Sequence, residues 1–329
     1  MRVVVLGAGS WGTTVASLTA RRHQTTLWAR DPEVAAELDR DKANTRYLPD
    51  HRVPDSMRAT ADLEQAVRDA EVLVVGVPSV AVRTTLEAAR PYVRPWIPIV
   101  SLTKGFEVGS LLRMSQVIKE VLPSHPTAVL TGPNIASEIL AGHAAASVIA
   151  TEDLNVAAAL QQVLRSGLLR VYTNHDVIGC EVGGALKNVV AIACGIAQGL
   201  DVGDNTRAAV MTRGLAELTR LGVAMGGEAA TFAGLTGMGD LIATCISPHS
   251  RNRRVGERLG RGEPLADILG SMNMVAEGVK TALTTHELAG RYGLDLPVAD
   301  AIYRVVSGEL TPAEAYGGLR RAGHESEPG

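Results

Sequence analysis

Aromatic side chains are nearly missing from this sequence: two Phe, six Tyr and three Trp in 329 residues. A core with so few rings has to be filled by Ala, Val, Leu and Ile, and small apolar side chains suit close helix packing better than a β-sandwich. Cysteine is scarce as well. Cys180, Cys194 and Cys245 are far apart and odd in number, which fits neither a zinc spacing nor a disulfide framework; they are expected to be buried thiols in a reducing cytoplasm. There is little excess charge, the formal net value being -3. That excludes a broad electrostatic footprint for nucleic acid or an anionic membrane, so any bound anion needs a local site. No apolar run reaches the roughly 18 residues of a membrane span, and the opening Met1-Arg2-Val3-Val4-Val5-Leu6-Gly7 is too short for a secretory signal. The histidines show no metal-ligand or triad spacing. Lysine is the last shortage: only Lys42, Lys104, Lys119, Lys187 and Lys280 among 32 basic residues. Each one raises the question of what its amine does that a guanidinium cannot.

The residues that are present fall into two regimes. Short apolar runs at Arg2 to Leu6, Thr25 to Ala29, Val72 to Val77, Ile97 to Leu102 and Thr127 to Leu130 alternate with helical spacing, as at Thr13 to Arg22. Two further strands are expected at Ala145 to Ala150 and Leu168 to Tyr172, around a helix at Leu154 to Arg165. Alternation of this kind implies βαβ units and a parallel sheet covered on both faces. After about Asn174 strand-like runs nearly vanish. Helical stretches follow at Glu181 to Gln198, Thr206 to Met225, Asp240 to Cys245, Val279 to Tyr292 and Leu296 to Val306. The expected division is residues 1–174, an α/β domain; residues 175–320, an all-helical domain; and a polar, frayed tail at 321–329.

Gly7-Ala8-Gly9-Ser10-Trp11-Gly12 reads GxGxxG between the first strand and the first helix. The chemistry needs those glycines: one for a tight turn, one to let backbone approach a pyrophosphate, one for close helix–sheet packing, with the helix N-terminus facing the phosphates. The strand–turn–helix context is what raises the motif above a common glycine-rich turn. The expected fold is therefore α/β, an N-terminal Rossmann-type doubly wound parallel sheet followed by an all-helical C-terminal domain. After the second strand comes Trp28-Ala29-Arg30-Asp31. Arg30 stands where a 2′-phosphate could be held, while Asp31 could serve a ribose; a solvated surface charge is the alternative for Arg30.

Ligands of open α/β sheets gather at the C-terminal strand ends. Here those ends read Val77-Pro78-Ser79, Ser101-Leu102-Thr103-Lys104-Gly105 and Thr131-Gly132-Pro133-Asn134, with Lys104 the only charge. Lys187 lies in the apolar stretch Gly183-Gly184-Ala185-Leu186-Lys187-Asn188, on one helix face with both glycines. Two glycines below an ammonium suggest room for a ligand, and a desolvated lysine there has a lowered pKa suited to acid–base work; a lysine snorkelling from a buried helix is the plainer alternative. Asp240, after Gly237-Met238-Gly239, is compatible with a bare helix N-cap. Ser250-Arg251-Asn252-Arg253-Arg254 offers hydroxyl, guanidinium and amide donors at a helix start, a phosphate cradle or else a solvated basic face.

The segments GAGSWG, LTKG, TGPNIASE, GGALKN, GLTGMGDLIATC and SRNRR occur in this order. Together they make the chain resemble the bacterial NAD(P)-dependent glycerol-3-phosphate dehydrogenases, from Met1 to about Gly318. The resemblance implies reversible reduction of dihydroxyacetone phosphate to sn-glycerol 3-phosphate, a phospholipid precursor, with NADPH or NADH. It implies Lys187 as proton donor and acceptor, assisted by Lys104 and Asp240. Substrate contacts carried over are Lys104, Gly132, Asp240, Ser250, Arg251 and Asn252; cofactor contacts are Ser10, Trp11, Arg30, Lys104, Ala136, Arg251, Val275 and Glu277. Asn134 departs from the Ser or Thr usual after Gly-Pro, which puts that substrate contact in doubt. A homodimer is implied by the likeness alone.

Two other readings fit the same architecture. One is a dehydrogenase of this two-domain plan acting on a 3-hydroxyacyl-CoA, a β-hydroxyacid or a sugar acid. The phosphate cradle and the lack of a convincing His–Glu pair speak against the acyl-CoA. The other is a nucleotide-binding sensor without chemistry, which needs no lysine in an apolar helix.

Overall fold

The computed structural model describes residues 1–272 and 276–321. Ten strands are found among them: β1 (Arg2–Leu6), β2 (Gln24–Trp28), β3 (Ala43–Asn44), β4 (Leu48–Arg52), β5 (Arg58–Thr60), β6 (Val72–Val75), β7 (Ile99–Ser101), β8 (Thr127–Thr131), β9 (Ala145–Ala150) and β10 (Leu169–Asn174). The helices that alternate with them are α1 (Ser10–Ala20), α2 (Pro32–Arg40), α3 (Leu63–Val67), α4 (Val82–Ala89), α5 (Met114–Val121), α6 (Ala136–Leu140) and α7 (Leu154–Leu164). From there the chain is helical: α8 (Val177–Gly199), α9 (Asp204–Ala224), α10 (Ala229–Phe232), α11 (Asp240–Ile246), α12 (Arg251–Gly260), α13 (Leu265–Gly270), α14 (Glu277–Tyr292), α15 (Pro297–Val306) and α16 (Pro312–Arg321).

Eight strands form one sheet in the order β10-β9-β8-β7-β6-β1-β2-β5. The chain leaves β1 toward β2 on one side and returns to β6 on the other, so a crevice opens between the ends of β1 and β6. Burial on both faces explains the unbroken apolar runs. In β1, Val3 and Val5 join one core with α1, α2 and α7, while Val4 and Leu6 join a second core with α4 and α5. The expected all-parallel sheet needs one correction. β8 and β9 pair antiparallel, so β9 and β10 run against the other six strands. Their link carries only the short α6, and an antiparallel neighbour needs no crossover helix. The β3–β4 hairpin was not legible either, its strands being too short and polar for a periodicity signal.

Helix α8 is the axis of the helical part. By length and composition alone it is apolar enough to cross a membrane, but almost all of it is buried inside the protein. Its contact with α12 is a seam of glycines. A Cβ placed on Gly195 would overlap the Arg253 carbonyl oxygen, and one on Gly256 would overlap that of Ile192. Gly199 and Gly260 repeat the arrangement one turn on. The two backbones therefore touch, which is how a chain poor in rings packs tightly. Gly195→Ala is expected to lower unfolding free energy by about 1–3 kcal/mol, the cost of overpacking; a denaturant midpoint equal to wild type would show that the helices separate without cost.

Buried polar contacts fasten the helical part to the sheet. Glu181 on α8 accepts from Arg113 Nη1 at 2.5 Å, the Ser115 amide at 2.7 Å and Ser115 Oγ at 2.6 Å, at the start of α5. Between β10 and α8, Asp176 caps α8 through the Gly179 amide and also accepts the Glu228 amide.

Candidate active site

The glycine-rich turn has the geometry its sequence demands. Gly7 has φ +109°, and a Cβ there would lie 2.8 Å from the Gly76 carbonyl at the β1/β6 crevice. A Cβ on Gly12 would overlap the Gly7 carbonyl oxygen, so α1 rests directly on the strand end. Gly9 has nothing within 4 Å of its Cβ position. One glycine makes the turn, one seats the helix and one faces open space, as a bound pyrophosphate requires. Ser10 and Trp11 open α1 beside that space. The residues fit a dinucleotide. The Asn44 amide reaches from β3 to the Ala8 carbonyl and to Thr13 Oγ1, both at 2.9 Å, and Ser10 Oγ donates to the Tyr47 carbonyl at 3.2 Å. The hairpin thus braces the turn.

Past β2, Arg30 is exposed. Asp31, offered by the sequence as a ribose ligand, already has two partners. Its Oδ1 accepts the Glu33 amide at 3.0 Å, capping α2, and its Oδ2 accepts Arg46 Nη1 at 3.0 Å. Each oxygen thus holds one partner, a local cap and a guanidinium from the hairpin, and the side chain keeps 42% of its surface open.

The catalytic candidates meet on one carboxylate. Asp240 is 2% exposed. Its Oδ2 accepts Lys104 Nζ at 2.7 Å and its Oδ1 accepts Lys187 Nζ. Its side chain therefore grips two ammonium groups, and Gly239 occupies the cap position of α11. Lys187 is 6% exposed, and its amine also donates to Thr244 Oγ1 at 2.7 Å. Burial pushes the Lys187 ammonium down to about 7; Asp240 resists that shift and the nearby Lys104 adds to it. Lys104 further donates to the Gly132 carbonyl and to Asn134 Oδ1, each at 3.0 Å. Asn134 accepts from Lys104 through its oxygen, and its amide nitrogen lies 3.4 Å from Ser147 Oγ. Gly183 and Gly184 do not clear a ligand space below Lys187, as their spacing suggested. A Cβ on Gly183 would meet the Thr236 carbonyl at 2.9 Å; one on Gly184 would meet Thr131 Oγ1 at 2.7 Å and the Lys104 stem at 3.5 Å. The glycines admit neighbouring chain and the second lysine.

Asp240 comes directly after a single π-turn, Leu235–Gly239, in which the Gly239 amide bonds back to the Gly234 carbonyl at 3.0 Å. Turns of this type insert a residue and re-aim the helix beyond them. The Gly-rich run had looked like an ordinary helix start.

Ser250 caps α12, accepting the Arg253 amide at 3.3 Å, so Arg251 and Asn252 form its first turn as the basic cluster suggested. Arg251 is exposed to solvent, though protein atoms crowd its guanidinium. That crowding lowers its pKa while Glu277 opposes the shift. Asn252 donates to Asn188 Oδ1 at 2.9 Å and accepts the Gly278 amide at 3.0 Å, joining α8, α12 and α14 next to Lys187. Arg253 turns away to the Ser247 carbonyl and Glu257. Across the cleft, Glu277 accepts Ser79 Oγ at 3.0 Å from the end of β6. Ala136 begins α6 close to the Gly132 loop. Val275 lies outside the described residues. Thr244 and Asn188 were missed by sequence reading: a threonine and an asparagine in apolar helices carry no signal until their neighbours are known.

Two family models divide the chain. The NAD-dependent glycerol-3-phosphate dehydrogenase N-terminus matches residues 2–157 and the C-terminus of the same family matches residues 176–317. The chain belongs to the NAD-dependent glycerol-3-phosphate dehydrogenase family. Glycerol-3-phosphate dehydrogenase (NAD(P)+) 2 of Sphingopyxis alaskensis is 54% identical, over 100% of this chain and 99% of that one. The Mycobacterium avium enzyme is 50% identical over 98% of this chain and 96% of its own. Among solved structures, glycerol-3-phosphate dehydrogenase from Coxiella burnetii superposes with a TM-score of 0.93 at 33% identity, covering 97% of this chain and 98% of that one. The fold extends beyond the family, since a ketopantoate reductase from Ralstonia eutropha matches at a TM-score of 0.62 with 16% identity. As a member of the glycerol-3-phosphate dehydrogenase family the chain is an oxidoreductase that interconverts dihydroxyacetone phosphate and sn-glycerol 3-phosphate with NAD(P)H.

Proposed function

We propose that Lys187 is the proton donor and acceptor of this reaction. The supporting observation is that Lys187 and Lys104 share the two oxygens of one buried aspartate. Bound NADPH or NADH supplies the hydride to the ketone carbon. Lys187 gives its proton to the carbonyl oxygen as the alcohol forms, and takes it back in the reverse direction. Asp240 holds the amine in place, and the Thr244 hydroxyl fixes its direction. Lys104 carries a second positive charge to the same oxygen, tied in position by Gly132 and Asn134. Arg251, the amides opening α12 and the remaining amide proton of Asn252 hold the phosphate, with Ser250 shaping the turn. Binding energy from the phosphate end then serves the reacting end. Gly7, Gly9, Ser10, Trp11 and Gly12 seat the pyrophosphate, Arg30 reads the 2′-phosphate, and Ala136 and Glu277 line the nicotinamide side.

The product supplies the glycerol backbone for phospholipid synthesis. The chain works as a cytoplasmic homodimer, divided into a cofactor-binding domain at residues 1–174 and a substrate domain at residues 175–320. The test is to mix protein, NADPH and dihydroxyacetone phosphate and follow nicotinamide absorbance across pH. Reduction needs the ammonium of Lys187 and oxidation needs its free amine. With that group at about 7 in the free protein, kcat/KM for reduction is expected to fall as pH rises past about 7, while kcat/KM for oxidation rises over the same interval. Limbs of the same sign in both directions would remove Lys187 from the proton step.

A further inference from the structure

We propose that Arg46, carried by the β3–β4 hairpin, is the second guanidinium of the cofactor's 2′-phosphate site and biases the chain toward NADPH over NADH. The inference deepens the assignment of Arg30 and rests on it. Asp31 is the residue that makes a second guanidinium necessary. A carboxylate one residue beyond Arg30 would repel a 2′-phosphate and would welcome the 2′-hydroxyl of NADH, which donates a proton to it. In the structure each oxygen of Asp31 already carries one partner. One is spent on the cap of α2, and the other is paired with Arg46 at 3.0 Å. Arg46 offsets the repulsion and competes for the hydroxyl's acceptor in one contact.

The position of Arg46 is built rather than accidental. Its hairpin is pinned to the glycine-rich turn by Asn44, whose amide is buried and reaches both Ala8 and Thr13. The neighbouring Tyr47 takes the Ser10 hydroxyl on its carbonyl, and its ring lies 5.5 Å from the Arg46 guanidinium carbon. A side chain held this way is pre-oriented at the adenosine end of the cofactor, where Arg30 also stands. Both partners of the Arg46–Asp31 pair keep about half of their side-chain surface open, at 51% and 42%. A phosphate dianion can therefore reach the guanidinium, whose planar fork serves a carboxylate and a phosphate together.

The test is equilibrium binding. NADPH, NADH and the fragment 2′,5′-ADP are titrated against wild type, Arg46→Ala, Arg46→Lys and Arg30→Ala, with tryptophan fluorescence as the readout. Arg46→Ala is expected to raise Kd for NADPH and for 2′,5′-ADP roughly 10- to 100-fold, the size of a charge-assisted contact. Kd for NADH should move less than about fivefold, the upper range for an exposed ion pair, or fall because Asp31 is released to the ribose. Arg46→Lys should recover only part of the loss. Equal losses for both dinucleotides in Arg46→Ala would mean that Arg46 merely holds the hairpin, and the proposal would be wrong. No loss for either would overturn it as well, leaving discrimination to Arg30 alone. A wild type that binds neither dinucleotide would sink the cofactor assignment itself, a result distinct from both.

Discussion

Lys187→Ala is expected to cut turnover for dihydroxyacetone phosphate by roughly 10²–10⁴-fold, the usual worth of a positioned general acid, with NADPH affinity close to wild type. The cofactor turn lies on the sheet, and Lys187 contacts none of its residues; its partners are Asp240 and Thr244. Removing one partner of a buried ion pair commonly costs about 3–5 kcal/mol. Here the damage is limited because Lys104 stays on the other oxygen of Asp240, so the variant should fold. Lys187→Arg should not rescue turnover. A guanidinium keeps its proton at every working pH. Single-turnover measurement with preformed enzyme–NADPH complex separates the chemistry from binding. A variant with most of the wild-type rate would show that the proton comes from elsewhere, Lys104 being the nearest other source.

Arg251→Ala is expected to lower kcat/KM for dihydroxyacetone phosphate by roughly 10- to 100-fold, yet leave kcat/KM for unphosphorylated dihydroxyacetone almost unchanged. A charged hydrogen bond to phosphate is worth about 1.5–3 kcal/mol, or roughly 10- to 100-fold. Wild type should strongly prefer the phosphorylated ketone, because donors arranged for a dianion are left without partners when it is missing. Arg251→Lys should restore part of the preference, since a point charge cannot reproduce the fork. The proximity of Glu277 adds a secondary rise in KM for NADPH. Comparing both ketones in wild type and both variants decides the matter. An unchanged ratio in Arg251→Ala would mean that the phosphate binds elsewhere and that the cluster at α12 is a solvated face.

The parts of this site that were legible in the sequence are those whose cause is local. The three roles of Gly7, Gly9 and Gly12 come from the turn itself, and the structure matches each to its position. Lys187 could be singled out because its apolar neighbours leave an ammonium unexplained, and Asp240 because it sits after a glycine-rich break. The features that escaped depend on residues distant in the chain. The commitments of Asp31 are set partly by Arg46, fifteen residues away. The glycines at 183 and 184 answer to a π-turn some fifty residues later and to the stem of Lys104. The reversal of β9 and β10 leaves no mark in composition, because an apolar strand reads alike in either direction. Asn188 and Thr244 belong to the same class: their polar atoms are explained only by Asn252 and Lys187 arriving from other helices.

The glycine seam between α8 and α12 also sets a measure. Lys187 is two turns before Gly195 on one helix, and Arg251 opens the other. With main chain against main chain along that seam, the separation of the two helices that carry Lys187 and Arg251 is set by backbone, and nearer those residues the side chains of Asn188 and Asn252 meet. A residue larger than glycine on the seam would push the helices apart as bodies and carry Lys187 and Arg251 with them. The spacing of those two helices is thus cut into backbone, and drift among exposed side chains leaves it where it is.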